Sequence, residues 1–291
     1  MRVEVENVSF TYMKDTPFET TALRNVSLTL EAGVYHAIVG HTGSGKSTLM
    51  QLFNGLEKPT SGKVSVGEWE ITPETKQRDL HELRRHAGVV FQFPESQLFE
   101  ETILKDVMFG PLNHGKTKAE AETVAREALL RTGMPAELHD RSPFELSGGQ
   151  MRRTAIAGVL AMEPQLLLLD EPTAGLDPEG QQEIMQLFYD WYREKEARTI
   201  VLISHDMNQV ARFAENVVIM EQGEKQLAEK ASALFTDESL LKKYQLAMPE
   251  HARLLKRLED ASGKPLDLNA FSDEAALERL LRFLREGDAD A

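Results

Sequence analysis

Apolar and polar residues alternate through VEVENVSFTY at the N-terminus, the period-two pattern of a strand with one buried face. ALRNVSLTLEAG reads as a second strand closed by a glycine turn. VYHAIVG (34–40) is mostly apolar and ends in glycine, as a strand covered on both faces does. The period then changes. In KSTLMQLFNGL, Leu49, Leu52, Phe53 and Leu56 fall at helical spacing, with Gly55 and Pro59 as stop signals. Residues 34–56 therefore predict strand, glycine loop, helix. HAGVVFQ (86–92) predicts another strand, and residues 102–160 are mainly helical. QLLLLD (165–170) and TIVLISH (199–205) predict buried strands ending on polar groups, separated by the amphipathic QQEIMQLFYDWYREK. Strands alternating with helices predict an α/β fold with a parallel sheet, into which a helical subdomain at about 93–160 is inserted.

Beyond about residue 235 the texture shifts to charged amphipathic helices, HARLLKRLED and DEAALERLLRFLREG, joined by the loop ASGKPLDLN. Leu277, Leu280, Leu281 and Leu284 form one apolar stripe. The expected division is a main domain over 1–235 and a small helical appendage over 236–291.

Composition narrows the chemistry. With no cysteine, disulfides, thiolate metal sites and cysteine nucleophiles are excluded. A formal charge of −14 argues against general binding of nucleic acid or anionic membrane. The N-terminus carries no apolar signal region, and no apolar run reaches membrane-spanning length. Work at a membrane would need another subunit to hold the chain there.

The chemistry concentrates in a few stretches. GHTGSGKST (40–48) fits G-x-x-x-x-G-K-[ST] at Gly40, Gly45, Lys46 and Ser47, with His41, Thr42, Gly43, Ser44 and Thr48 completing the loop. Glycines let backbone N–H groups curl around an anion, and the helix start adds partial positive charge. Lys46 is placed to reach β- and γ-phosphates, and the Ser47 hydroxyl to ligate Mg²⁺. Asp170 and Glu171 end the strand LLLLD, at the sheet edge where parallel sheets bind ligands. Asp170 would support the Mg²⁺ sphere, and Glu171 would orient or deprotonate a water attacking the γ-phosphate. His205 ends the next strand at that edge, where it can contact the γ-phosphate. Gln92 also ends a strand; its amide can meet Mg²⁺ or the attacking water, or be structural. A second anion-type loop, LSGGQ, spans Leu146, Ser147, Gly148, Gly149 and Gln150, with Ser147 as helix N-cap.

Taken together, the loop at 40–47, Gln92, LSGGQ, LLLLD with Glu171, AGLD (174–177, containing Asp177) and His205 resemble in order and spacing the ABC-type ATPases. The resemblance covers about residues 1–230. It implies a P-loop (RecA-like) nucleotide-binding domain with antiparallel N-terminal strands, ATP and Mg²⁺ as ligands, and Asp177 as part of the D-loop. It also explains the two loops. In that family the LSGGQ of one subunit covers the nucleotide held by the P-loop of another, so two chains pack head to tail with ATP between them. An early aromatic stacks on adenine; Tyr12 is the first candidate and Phe10 the second, with sheet packing the alternative for both.

FQFPESQLFEETILKDVMFGPLNHG (91–115) and EPTAGLDP are similar to the second ATPase of energy-coupling factor transporters, which take up vitamins and transition-metal ions. That similarity implies a second homologous ATPase, a transmembrane coupling subunit and, indirectly, a small membrane substrate-binding subunit, with this chain at the cytoplasmic face. Residues 93–110, with Phe93, Leu98 and Phe99, are the expected docking segment, unless those side chains pack internally. Competing readings are a homodimeric cobalt or nickel importer, an ordinary importer with a binding protein, a soluble ABC protein and a nucleotide-dependent scaffold.

Overall fold

The computed structural model describes residues 1–288. β1 (Val3–Tyr12), β2 (Thr20–Leu30), β4 (Ser61–Val66) and β5 (Trp69–Ile71) form an antiparallel sheet in the order β2-β1-β4-β5. β3 (Tyr35–Val39), β6 (Ala87–Val90), β7 (Leu166–Asp170), β8 (Thr199–Ile203), β9 (Asn216–Glu221) and β10 (Glu224–Lys230) form the second, in the order β10-β9-β3-β8-β7-β6. All its pairings are parallel except the β9–β10 hairpin. The C-terminal ends of β3, β7 and β8 therefore meet at one edge.

α1 (Lys46–Phe53) follows the glycine loop, and α2 (His81–His86) leads into β6. α3 (Ile103–Asn113), α4 (Lys118–Arg131) and α5 (Gly148–Leu160) occupy the predicted insertion. α6 (Pro178–Arg193) and α7 (Met207–Phe213) follow β7 and β8. α8 (Ala231–Thr236), α9 (Glu238–Lys243), α10 (Glu250–Ser262) and α11 (Asp273–Asp288) complete the chain.

Two cores sandwich the parallel sheet. Leu166 and Leu168 of β7 face the one shared with the antiparallel sheet and α1, whereas Leu167 and Leu169 face the one shared with α6 and α7. This is the period-two geometry of a strand buried on both faces, and it explains why no polar alternation marks it. The insertion has a core of its own, built from Ile103, Val107, Ala121, Leu129, Ala157 and neighbours.

The appendage is not separate from the main body. Leu241 is buried in the α6–α7 core, and Leu246, Met248 and Phe271 pack against it. The boundary expected at 235 therefore crosses a packed interface. Among the described residues, Leu255, Ala270 and Ala276 form a small core of their own, with Leu268, Ala275 and Leu280 packed against it. Of the leucine stripe, Leu277, Leu281 and Leu284 are exposed, while Leu280 packs against that small core.

Several expectations need correction. β6 stops at Val90 and β8 at Ile203, so Gln92 and His205 sit in the loops beyond rather than at strand ends. Leu56 lies past the end of α1 and is exposed. Among the docking candidates Phe93 and Phe99 are exposed, but Leu98 is buried.

Candidate functional site

The glycine loop depends on conformations closed to other residues. Gly40 has φ +147° and Gly45 +95°. A Cβ on Gly40 would lie 2.1 Å from the Met220 carbonyl oxygen, and one on Gly45 2.6 Å from that of Ala22. These positions need glycine for both backbone angle and space. Lys46 folds over the loop, donating from Nζ to the carbonyls of Gly40 at 2.8 Å and His41 at 2.9 Å. Burial holds its ammonium below the usual lysine range, against the opposing pull of Glu171 and Asp170.

At the adjoining strand ends, the Ser47 hydroxyl donates to Asp170 Oδ1 at 3.2 Å. Burial raises the Asp170 carboxyl above its ordinary value, opposed by the Ser47 hydrogen bond and supported by the charge of Glu171. Hydroxyl and carboxylate are hard oxygen donors. Their separation is close to the roughly 2.9 Å between neighbouring oxygens bound at about 2.1 Å around Mg²⁺, so the pair fits that ion.

Glu171 has φ +47°, a left-handed backbone unusual for a side-chain-bearing residue, and its N–H donates to the Ile203 carbonyl at 2.9 Å. Strain of this kind persists where surroundings impose it, and functional sites are common places. Its Oε2 lies 3.0 Å from His205 Nδ1, which brings the two γ-phosphate candidates into contact.

These groups share one pocket of about 890 Å³. Its lining includes Tyr12, Gly40, His41, Thr42, Gly43, Gly45, Lys46, Ser47, Thr48, Gln92, Asp170, Glu171 and His205. Ser44 lies beneath, buried, with its Oγ 3.5 Å from Lys46 Nζ. The Tyr12 hydroxyl is 3.0 Å from Thr48 Oγ1, so its ring stands at the pocket rim. Phe10 is buried and packs edge-on against Tyr12, which removes it as the alternative platform. Residues 245–247, before α10, also line the pocket, which the sequence pattern did not disclose.

LSGGQ and Asp177 are not in this pocket. Ser147, Gly149, Gln150 and Asp177 line a separate depression of about 500 Å³ that shares no residue with the first. Ser147 and Gln150 form a reciprocal capping box: Gln150 N–H donates to Ser147 Oγ at 3.3 Å, and Ser147 N–H to Gln150 Oε1 at 3.0 Å. A Cβ on Gly148 or Gly149 would meet nothing within 4 Å, so this backbone is open to an incoming group. Asp177 caps α6, accepting from Gly180 N–H at 2.8 Å.

One element went unread in the sequence. Arg152 grips Glu95 bidentately at 2.8 and 2.9 Å and donates to the Ala174 carbonyl at 2.8 Å. It thereby joins the segment after Gln92 to the loop after Glu171. A carboxylate and an arginine 57 residues apart carry no local signature of being partners.

Comparison with known proteins agrees with this geometry. Residues 23–174 match the ABC transporter family model. The chain is 50% identical over 287 residues to the energy-coupling factor transporter ATP-binding protein EcfA2 of Streptococcus pyogenes serotype M5 (strain Manfredo), covering 99% of this chain and 100% of that protein. The same figures hold for the EcfA2 of serotype M1. Among solved structures, cbiO1 from Clostridium perfringens, described as part of the cbiONQ transporter complex, is 37% identical with a TM-score of 0.71 over 87% of this chain and 98% of that one. The ATP-binding cassette MJ0796, in a dimeric post-hydrolysis state bound to ADP and Pi, is 33% identical with a TM-score of 0.70, covering 79% and 98%.

Proposed function

Because the chain belongs to the ABC transporter family, we propose that it is the ATP-hydrolysing subunit of an energy-coupling factor importer, working as half of a head-to-tail ATPase pair. One observation carries the paired arrangement: the open LSGGQ backbone and the P-loop pocket are different surfaces of the same molecule. A chain built this way can hold one nucleotide and cover another.

In this reading the loop amides of residues 40–48 bind the phosphates, Lys46 turns from its own carbonyls to the β- and γ-phosphates, and Tyr12 supports adenine. Ser47 and Asp170, with Gln92, would hold Mg²⁺, which neutralises charge on the phosphates. Glu171 orients or deprotonates the attacking water. His205, 3.0 Å from it, fixes that carboxylate and meets the γ-phosphate. The partner's LSGGQ segment adds N–H groups and a helix start at the far side of the γ-phosphate. ATP then favours the closed pair through contacts that vanish once the γ-phosphate leaves.

Residues 1–235 hold the ATPase motifs, and 236–291, packed against them through Leu241, Met248 and Phe271, aid pairing through Leu277, Leu281 and Leu284. Among the described residues no helix is long and apolar enough to cross a membrane. A transmembrane coupling subunit would hold this chain at the cytoplasmic face, docking on Phe93 and Phe99, and a small membrane protein would choose the vitamin or metal ion. A second reading is a homodimeric ATPase of a metal importer; the likeness to cbiO1, part of the cbiONQ transporter complex, fits either.

Two experiments test this. Gentle solubilisation of native membranes and pull-down should recover a second, homologous ATPase with a polytopic protein; recovery of one ATPase species alone with a permease selects the homodimer. In mixed dimers, Ser147→Arg and Lys46→Ala on one subunit should disable different sites; damage to the same site refutes the head-to-tail arrangement.

A further inference from the structure

Away from the nucleotide pocket, one cluster assembles side chains with metal-ligand chemistry. His81 and Glu82 open α2, and His114 follows the last residue of α3. One ligand atom from each of the three lies within 4.8 Å of the others. The two imidazole rings are 4.5 Å apart between centroids, and His81 Nδ1 is 3.8 Å from Glu82 Oε1. None of the three lines the nucleotide pocket.

His114 is the anchor. Its Nδ1 is shielded from solvent and has no hydrogen-bond partner. Buried polar atoms are nearly always satisfied, so such an atom calls for a physical reason. Ring contact with His81 accounts for the packing but not for the nitrogen. Desolvation, with His81 next, holds His114 below the usual histidine range.

We propose that His81, Glu82 and His114 bind one divalent first-row transition ion, with Zn²⁺ the reference ligand, and that the ion ties the helical subdomain to the sheet core. Two imidazoles and one carboxylate select Zn²⁺, Ni²⁺ or Co²⁺ over Mg²⁺ or Ca²⁺, which prefer all-oxygen sites. Bonds of about 2.0–2.1 Å bring tetrahedral ligand atoms to roughly 3.3 Å from one another, so the cluster must close by about 1.5 Å. His81 and Glu82 have side chains 58% and 60% exposed and can rotate inward onto the half-buried His114. Glu82 also faces Arg85 at 3.9 Å, a surface pairing the ion would replace. Three protein ligands leave a fourth position for water.

The placement gives the ion a structural effect. α2 is set by Leu80 and Leu83 in the core beneath the antiparallel sheet, whereas α3 is set by Ile103, Leu104, Val107 and Met108 in the separate core of the insertion. A bond across His81 and His114 would add a tie on the α2 side to the links already made by the segment 91–102 and by α5, whose Ile156 and Leu160 are buried in the α6–α7 core while its Ala157 is buried in that of the insertion.

The test is calorimetric titration of Zn²⁺ into the full nucleotide-free chain carrying no polyhistidine tag, with Co²⁺ absorbance reporting geometry. One equivalent should bind with micromolar or tighter affinity. His114→Ala and His81→Ala should each weaken binding at least tenfold, while His86→Ala, a nearby histidine stacked on Trp69, should not. Zn²⁺ should raise the melting temperature of the wild type and not of His81→Ala. His81 is exposed, so that variant carries the test if His114→Ala fails to fold. Absence of stoichiometric binding, binding unchanged in His81→Ala, or binding lost instead in Glu171→Gln would overturn the proposal.

Discussion

Replacing Glu95 by alanine should destabilise the protein well beyond a typical surface substitution. Arg152 has only 4% of its side chain exposed and Glu95 23%. The change removes two charge-assisted hydrogen bonds and leaves the guanidinium buried beside an apolar stub. Breaking a buried pair this way costs about 3–5 kcal/mol. Two features reduce that figure here: water reaches the partly exposed Glu95 position, and Arg152 keeps its bond to the Ala174 carbonyl at 2.8 Å. We therefore expect a loss of about 2–3 kcal/mol, or about 3–5 °C in melting temperature for a chain of this length. Urea unfolding at pH 7 followed by circular dichroism measures it. Adding Arg152→Met to Glu95→Ala should restore part of the loss, because the stranded charge goes with it. The pH dependence supplies a sign. Burial pushes the Glu95 carboxyl up, but the Arg152 hydrogen bond and charge outweigh it, so the group sits below its ordinary value of 4.5. A depressed folded value means that the stabilisation is complete above pH 4.5 and lost as pH falls through the lower folded value. The gap between wild type and Glu95→Ala should close there. A difference under about 0.5 kcal/mol at pH 7, the range of ordinary surface changes, would refute the reasoning.

Glu171→Gln should lower phosphate release at least about 100-fold and accumulate an ATP-bound dimer on size exclusion; unchanged turnover would remove Glu171 from the catalytic role. Tyr12→Ala should weaken ATP binding by about 1–3 kcal/mol, the worth of a base–aromatic stack, in a fluorescent-nucleotide titration; equal affinity would leave Tyr12 a packing residue. Replacing exposed Leu277, Leu281 and Leu284 by serine should keep the melting temperature within about 2 °C but weaken pairing in sedimentation. Deleting 236–291 should lower the melting temperature itself, since Leu241, Met248 and Phe271 leave the main core with it.

Sequence patterning located the parts whose physics is local. The glycine loop, the β7 carboxylates and the Ser147 cap each follow from neighbours in the chain, and the structure puts them where strand–loop–helix logic requires. β4, β5, β9 and β10 are absent from that reading: β4 and β9 are placed by distant partners, Val3 opposite Val66 and Ala37 beside Val217, whereas β4–β5 and β9–β10 are hairpins whose glycine turns at Gly67 and Gly223 are a local signal that the reading lacks. For Leu98 the internal alternative holds. Its neighbours Phe93 and Phe99 are exposed, and nothing in the local pattern distinguishes the one that turns inward. The Glu95–Arg152 link and the approach of residues 245–247 to the pocket are wholly tertiary.

The four leucines of β7 raise a question of alignment. In a strand with one wet face, a slip of one residue would drag polar groups into the core and be rejected. Here both faces are apolar, and Leu166–Leu169 would satisfy either core after such a slip. Hydrophobicity therefore cannot choose the pairing. The choice falls to the polar side chains that bound the run, Gln165 before it and Asp170, bonded to Ser47, after it. The main chain follows: Gln165 N–H donates to the His86 carbonyl and its own carbonyl accepts from Thr199 N–H, both at 2.9 Å, while Glu171 N–H closes on the Ile203 carbonyl. A shift by one position would leave the cores content yet carry Asp170 away from Ser47, giving a well-folded protein with a dead centre.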